Sequence, residues 1–399
     1  MLNYYIVCNT REPRVFKQLL LRNCRRYDTP TQSVDILIVD GKIRRIESTI
    51  DQTDTDAEII DANRAYVAPG FIDVHIQGAG GFDILDAKPE GLKTISRTLA
   101  KFGVTGILAT TVFQTDHKNE HLKLIAQTNN KDLGGAHILG VHLEGPFINP
   151  AKKGGISENC ILPASQYELA HIFDITGKRL KMMTIAPELP GNLKIIERLA
   201  NQQIIASFGH SNASYEETQR GIKAGICHVT HFFNAMPALH HRSPGPIPAI
   251  IENQRISVQL IADGVHLHPA IIRGVYQCIS SDRIICITDG IQAIGMPEGR
   301  YVYNGRDYIS KDGAARYLDG TLIGTALPLN QIARRFKEFT HCTLQQAVDT
   351  VSFNPVRLLG LENQKGSIAI GKDADLVIMD QDFNVDMTII NGKIVHRHS

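Results

Sequence analysis

From Ala68-Pro69-Gly70 onward, short apolar runs alternate with stretches whose apolar residues recur at helical spacing. The runs are Phe71–Gln77, Val104–Thr111, His137–Glu144, Met182–Pro187, Ile204–Gly209, Ile226–His231, Ile256–Ala262 and Ile284–Asp289. Helical patterns fill most gaps, as at Glu90–Phe102, Gln166–Ile175, Asn192–Asn201 and Tyr215–Ala224. Eight βα units in series predict an α/β chain with a (β/α)8 TIM-type barrel. An open doubly wound sheet is the alternative, but no GxGxxG turn supports it. Further helices are expected at Leu327–Phe339 and Leu344–Val351, and one opened by Asn354-Pro355.

Both ends of the chain read differently. Leu19–Asn23, Val34–Val39 and Lys42–Ile46 read as strands, with Asp40-Gly41 as a hairpin turn. After Gly366 the same rhythm returns in Ala374–Met379, Met387–Ile390 and Lys393–Val395, with a turn at Asn391-Gly392. A small β-sandwich domain from 1–66 and 364–399 is therefore expected, with the barrel, 67–363, inserted between its halves. Residues 1–18 do not pattern and read as an extension or edge element.

Composition narrows the class. The chain has 399 residues, 43% hydrophobic and 21% charged, as expected of a soluble globular protein. Lys+Arg number 42 and Asp+Glu 41, so no charge excess points to nucleic acid or an anionic membrane. Seven cysteines, an odd number without a CxxC, argue against a disulfide framework and suit reduced thiols. No charged leader precedes an apolar run, and no stretch approaches a membrane span. A cytoplasmic location is expected.

The polar residues fall where a barrel does chemistry, at the C-terminal ends of the strands. Five runs end in Asp73-Val-His75-Ile-Gln77, His142-Leu-Glu144, Gly209-His210, Thr230-His231 and Thr288-Asp289. Period-two alternation puts His75 with Gln77, and His142 with Glu144, on shared faces. Singly, such a histidine is commonly structural and such a carboxylate a cap or solvated charge. Gathered at one mouth, they would be costly unless paired or metal-bound. Glu144, His210 and His231 make a zinc-type set with an open position. Asp289 is the candidate proton carrier for an amide hydrolysis at that ion.

These motifs also resemble a known family. Pro69-Gly-Phe-Ile-Asp-Val-His75, His142-Leu-Glu-Gly-Pro146, Gly209-His-Ser-Asn212, Thr230-His231, Asn234-Ala-Met-Pro237, Ala262-Asp-Gly-Val-His266 and Ile287-Thr-Asp289 follow in order. Together they resemble the N-acetylglucosamine-6-phosphate deacetylases of the amidohydrolase superfamily, from about Leu19 to the C-terminus. The resemblance implies removal of the N-acetyl group from an amino-sugar 6-phosphate, giving acetate and the amine. It implies a divalent metal on Glu144, His210 and His231, most simply zinc, with iron, cobalt or manganese as alternatives. It makes Asp289 the acid/base and Asn234, Ala235, Arg242 and His266 substrate contacts; Gln77, Gly155 and Ile323 join them as candidates. A guanidinium at Arg242 suits a phosphate. The family's homodimers imply a dimer.

Three positions depart from the family pattern. His75-x-Gln77 stands between the two-metal His-x-His and the one-metal Gln-x-Asn forms. One tightly held metal is favoured, with His75 assigned to a weaker second site, since glutamine is a poor zinc ligand. Ile156 follows Lys152-Lys153-Gly154-Gly155 where the family usually has a carbonyl-polarising histidine. A metal held partly by His75 is expected to compensate. Ile323 replaces a small residue near the expected sugar pocket. Alternatives are the N-acetylgalactosamine 6-phosphate enzyme, suggested by His240-His241-Arg242 and Ile291-Gln292-Ala293, and a catalytically weakened sugar-phosphate-binding relative. A cyclic amidase of dihydroorotase type fits less well, because Glu144 stands where such enzymes usually carry a lysine carbamate.

Overall fold

The computed structural model describes residues 18–51, 56–115, 118–303 and 305–398. Its centre is a sheet of eight parallel strands in chain order: Phe71–Ile76, Val104–Thr111, His137–Glu144, Leu180–Ile185, Ile205–Phe208, Ile226–Val229, Ser257–Leu260 and Ile284–Cys286. The sheet curls until its ends meet. The Asp289 N–H donates to the His75 carbonyl at 2.9 Å, and the Gln77 N–H to the Gly290 carbonyl at 2.8 Å. Ile76 and Gly290 form a parallel bridge across the same seam. Val104–Thr111 is buried along its whole length. Such strands read as continuous apolar runs because helices cover one face and the barrel interior the other.

The helices Asn192–Asn201, Tyr215–Ala224 and Leu344–Val351 lie where their periodicity predicts. A Ser214/Glu217 capping box starts the second of these, satisfying backbone donors that a helix start leaves open. Several strands are shorter than their apolar runs. The sixth stops at Val229 and the eighth at Cys286, so His231 and Asp289 lie beyond the ends of the regular strands. The reason is local. His210, His231 and Asp289 all take left-handed backbone conformations, with φ of 48°, 30° and 50°, which break strand geometry.

The two ends of the chain build one further sheet. Its order is Lys393–Arg397, Val385–Ile390, Leu376–Met379, Tyr66–Pro69, Gln18–Arg26, Ser33–Val39 and Lys42–Glu47, with Glu58–Asp61 also pairing Gln18–Arg26. Leu19 and Leu21 point into the main core, whereas Leu20 packs with Leu37 and Ile50 on the other face. Tyr27 donates its hydroxyl to Asp349 at 3.3 Å, and Lys42 pairs with Asp373 at 2.5 Å. Residues 1–17, nearly all of the stretch read as an extension or edge element, lie outside the described residues.

One element was not expected. Between the eighth strand and the helix Leu329–Thr340 stands an antiparallel four-stranded sheet: Gly299–Tyr303, Arg306–Lys311, Ala314–Tyr317 and Leu322–Thr325. Its sequence signal is the Asp312-Gly313 turn, whose φ values of 52° and 78° both lie in the left-handed region that tight hairpins require. Among the described residues no helix is long and apolar enough to cross a membrane.

Candidate active site

The barrel mouth opens into a cavity of about 600 Å³. Glu144, ending the third strand, points its Oε1 at the Nε2 atoms of His210 and His231, each 3.0 Å away. Those two nitrogens are also 3.0 Å apart. Two imidazole lone pairs and a carboxylate oxygen facing one another repel unless a cation or proton lies among them. Ligand atoms around a tetrahedral ion stand about 3.3 Å apart, given metal–ligand bonds of about 2.0–2.1 Å. The triad therefore fits a divalent metal with only a small expansion.

The surroundings fix the imidazoles. His210 Nδ1 donates to the Lys152 carbonyl at 2.8 Å, which leaves Nε2 unprotonated toward the cluster. Gln259 Oε1 accepts from His75 Nδ1 at 3.0 Å and from the His231 backbone N–H at 3.2 Å. His231 Nδ1 is buried without a hydrogen-bond partner among the described residues. His142 is fully buried between the Thr110 and Thr184 hydroxyls, at 3.3 and 2.8 Å. Burial, with His75 adding to it, holds it well below the usual histidine range and therefore neutral.

Asp289 faces this triad. Its Oδ1 accepts from Gln77 Nε2 at 2.9 Å and lies 3.1 Å from His75 Nε2. His75 Nε2 is also 3.5 Å from Glu144 Oε1, so His75 sits between the two carboxylates. Burial opposes charge on Asp289, but His75 outweighs it and holds the carboxyl below its ordinary range, ionised at neutral pH. Glu144 is held well below its range in the same way, against burial, by His75, His210 and His231. Asp73, two residues before His75, accepts the Thr288 hydroxyl at 2.6 Å and fastens the first strand to the eighth. Burial raises Asp73 to about 7.

Backbone packing sets the position of Asp289. The Thr325 N–H donates to its carbonyl at 3.0 Å. Gly324 lies against the same carbonyl, where a Cβ would stand 2.5 Å from the oxygen, at a φ of 138°. Only glycine fits that approach and that conformation.

The candidate substrate contacts divide. Gln77, Asn234, Ala235, His266, Gly155 and Ile323 line the cavity. His266 Nδ1 is held by Asp263 at 2.7 Å, which aims the ring. Arg242 is the exception: it is exposed, is not part of the lining, and contacts His241 Nε2 at 2.8 Å. Ile156 also lines the cavity. Sequence reasoning missed Gln259, Thr111, Asp83 and Tyr303. Gln259 carried a usable signal, since a polar residue inside an apolar strand run must find buried partners.

Residues 66–395 match the profile of the amidohydrolase family, and the chain belongs to that family. Within it, the chain is 36% identical to the N-acetylglucosamine-6-phosphate deacetylase of Bacillus subtilis (strain 168), covering 90% of this chain and 91% of that protein. It is 34% identical to the N-acetylgalactosamine-6-phosphate deacetylase of Escherichia coli O157:H7, covering 90% and 93%. Among solved structures it resembles the N-acetylglucosamine-6-phosphate deacetylase of Thermotoga maritima, with a TM-score of 0.83, 34% identity and coverage of 95% and 100%. It also resembles a mutant of the Mycobacterium smegmatis enzyme in complex with N-acetyl-D-glucosamine-6-phosphate, with a TM-score of 0.87, 29% identity and coverage of 95% and 99%.

Proposed function

We propose that this chain hydrolyses the N-acetyl group of N-acetylglucosamine 6-phosphate, releasing acetate and glucosamine 6-phosphate. The observation that carries the reading is the convergence of Glu144, His210 and His231 opposite an ionised Asp289. Near-full-length relatives named for that reaction support it.

Glu144, His210 and His231 would hold one divalent ion, for which a borderline-soft donor set of one oxygen and two nitrogens favours zinc. When bound, such an ion lowers the pKa of water toward roughly 7 and polarises the scissile carbonyl. Asp289 Oδ1 is occupied by Gln77, and its Oδ2 has no hydrogen-bond partner among the described residues. That oxygen takes the proton of the attacking water and returns it to the leaving nitrogen. Asn234, Ala235 and His266 contact the sugar. Arg242 stands in an exposed loop and reaches the phosphate only after rearrangement or across a dimer contact. Exposed Leu239, Val265 and Ile271 lie near Arg242 and His266 in sequence and suit a homodimer. The location that fits a cytosolic sugar phosphate is the cytoplasm.

Acetate and free-amine release from N-acetylglucosamine and N-acetylgalactosamine 6-phosphates tests the reading, with Asp289→Asn as control. The gluco epimer should be turned over, and the control should fall by about 10²–10⁴ while keeping its metal. Absence of turnover on both epimers by metal-loaded protein would overturn the proposal.

A further inference from the structure

A hexosamine 6-phosphate carries its phosphate through the ring carbon opposite the one that bears nitrogen. A metal on Glu144, His210 and His231 would serve the amide and leave that phosphate without a counter-charge. The phosphate brings about 1.5–2 negative charges at neutral pH. It enters a cavity whose Glu144 and Asp289 are already ionised. Taking such a charge out of water is costly unless a cation or several donors meet it. Arg242 stands in an exposed loop outside that cavity.

Among the described residues that line the cavity, Lys152 is the single lysine or arginine. It is half-buried, and its Nζ lies 3.5 Å from the Met236 carbonyl. Among the described residues no carboxylate pairs with it, whereas Lys153 beside it is tied to Glu158 at 2.9 Å. An ammonium has three donors, so one long contact to a carbonyl leaves the charge and at least two N–H groups for a ligand. Asn234 and Ala235, which line the same cavity, directly precede Met236. The ammonium therefore stands against the segment read as a sugar contact.

The backbone holds this lysine in place. The Asn149 N–H donates to the His210 carbonyl at 2.9 Å, and His210 Nδ1 donates back to the Lys152 carbonyl at 2.8 Å. The turn between these two bonds, Pro150–Lys152, is capped by the Asn149 side chain, which accepts the Ala151 N–H at 2.9 Å. The Ser211 N–H donates to the Ala235 carbonyl at 3.2 Å, which ties the loop after the fifth strand to the loop after the sixth. The stem of Lys152 thus starts from a fixed point beside a metal-binding imidazole and ends at the sugar-contact segment. A cation whose backbone is fixed before the ligand arrives gives up less freedom on binding.

We propose that Lys152 binds the 6-phosphate of the substrate through its ammonium, while its carbonyl orients His210. The inference rests on the deacetylase reading. Lys152 supplies from within one chain the counter-charge that Arg242 supplies only after rearrangement or across a dimer contact. A compact ammonium on a flexible stem meets a phosphate as a point charge, without the fixed fork of a guanidinium.

The test uses the full metal-loaded chain with N-acetylglucosamine 6-phosphate and unphosphorylated N-acetylglucosamine. Lys152→Met keeps the stem and the carbonyl and removes the charge. The kcat/KM ratio of the phosphorylated to the unphosphorylated sugar should fall by about 10–100-fold, mainly through KM, as expected for loss of a charge-assisted hydrogen bond. The inhibition constant of glucosamine 6-phosphate, which needs no turnover of the unphosphorylated sugar, should rise by the same factor. Lys152→Arg, which keeps a cation, should lie between Lys152→Met and wild type. Because the Lys152 carbonyl also supports His210, the ratio and not the absolute rate carries the reading: damage to the metal lowers both substrates alike. A ratio and an inhibition constant both within about twofold of wild type in Lys152→Met overturn the inference alone. So does a ratio lowered by Arg242→Met and untouched by Lys152→Met. Absence of turnover of N-acetylglucosamine 6-phosphate by the wild-type chain overturns the deacetylase reading and this inference with it.

Discussion

Replacing Gln259 by leucine removes one side chain that serves two others at once. Gln259 is fully buried in the seventh barrel strand, and its Oε1 accepts from both His75 Nδ1 and the His231 backbone N–H. Leucine matches its bulk but accepts nothing, so two buried donors lose their partner. Each unsatisfied donor costs about 1–3 kcal/mol, and the added apolar burial returns part of that, for a net loss of about 2–4 kcal/mol. The functional cost is separate. Groups that position metal-binding residues from behind are typically worth about 10–100-fold in metal affinity or activity, and the left-handed turn at His231 would lose the acceptor of its backbone N–H. Urea unfolding of the metal-loaded variant reads the first quantity, and a competitive chelator titration reads the second. Both should fall together. A urea midpoint within about 0.3 M of wild type, with metal affinity within about twofold, would refute the assignment of Gln259 as the common support of the His75 ring and the His231 backbone.

Three further outcomes are expected. Gly324→Ala places a Cβ against the Asp289 carbonyl at a backbone angle alanine avoids; it should lower kcat by about 10²-fold with little change in bound metal, measured by steady-state kinetics and elemental analysis. Chelation should abolish activity and lower the thermal midpoint, because the 3.0 Å cluster loses the charge that reconciles its members, and a divalent ion should restore both. Asp349 is raised to about 6, chiefly by burial, so the folded state binds its proton more tightly than the unfolded chain does. Stability from this group is therefore full below about pH 4 and is lost as pH rises toward 6; Asp349→Asn should flatten that loss in unfolding midpoints measured from pH 4 to 7.

The barrel was legible because its strands are buried on both faces and write themselves as uninterrupted apolar runs, as Val104–Thr111 does. The Glu144, His210 and His231 cluster, which could hold a metal, was legible because its members end or directly follow such runs. What could not be read was where those runs stop being strand. The left-handed turns at His210, His231 and Asp289 are set by packing across the mouth, and nothing in a histidine or aspartate specifies them locally. The inserted sheet escaped because Gly299–Tyr303 and Arg306–Lys311 alternate exposed and covered positions without a sustained apolar run. Arg242 is the other case: its chemistry, which suits a phosphate, was legible, but its place in an exposed loop outside the cavity was not.

The sheet shared by the two ends of the chain bears on how the protein is made. Tyr66–Pro69 pairs with Leu376–Met379, and the ties Tyr27–Asp349 and Lys42–Asp373 span 322 and 331 residues. During synthesis the early strands emerge long before their partners and must wait, edges open, until the whole barrel has been translated. The strand that leads into the barrel, Tyr66–Pro69, is paired on one edge by Gln18–Arg26 and gains its second neighbour only from residues made much later. A ribosome that stalls before Leu376 therefore leaves a barrel whose entrance strand has one edge open, a product that quality control can distinguish from the finished protein by that edge.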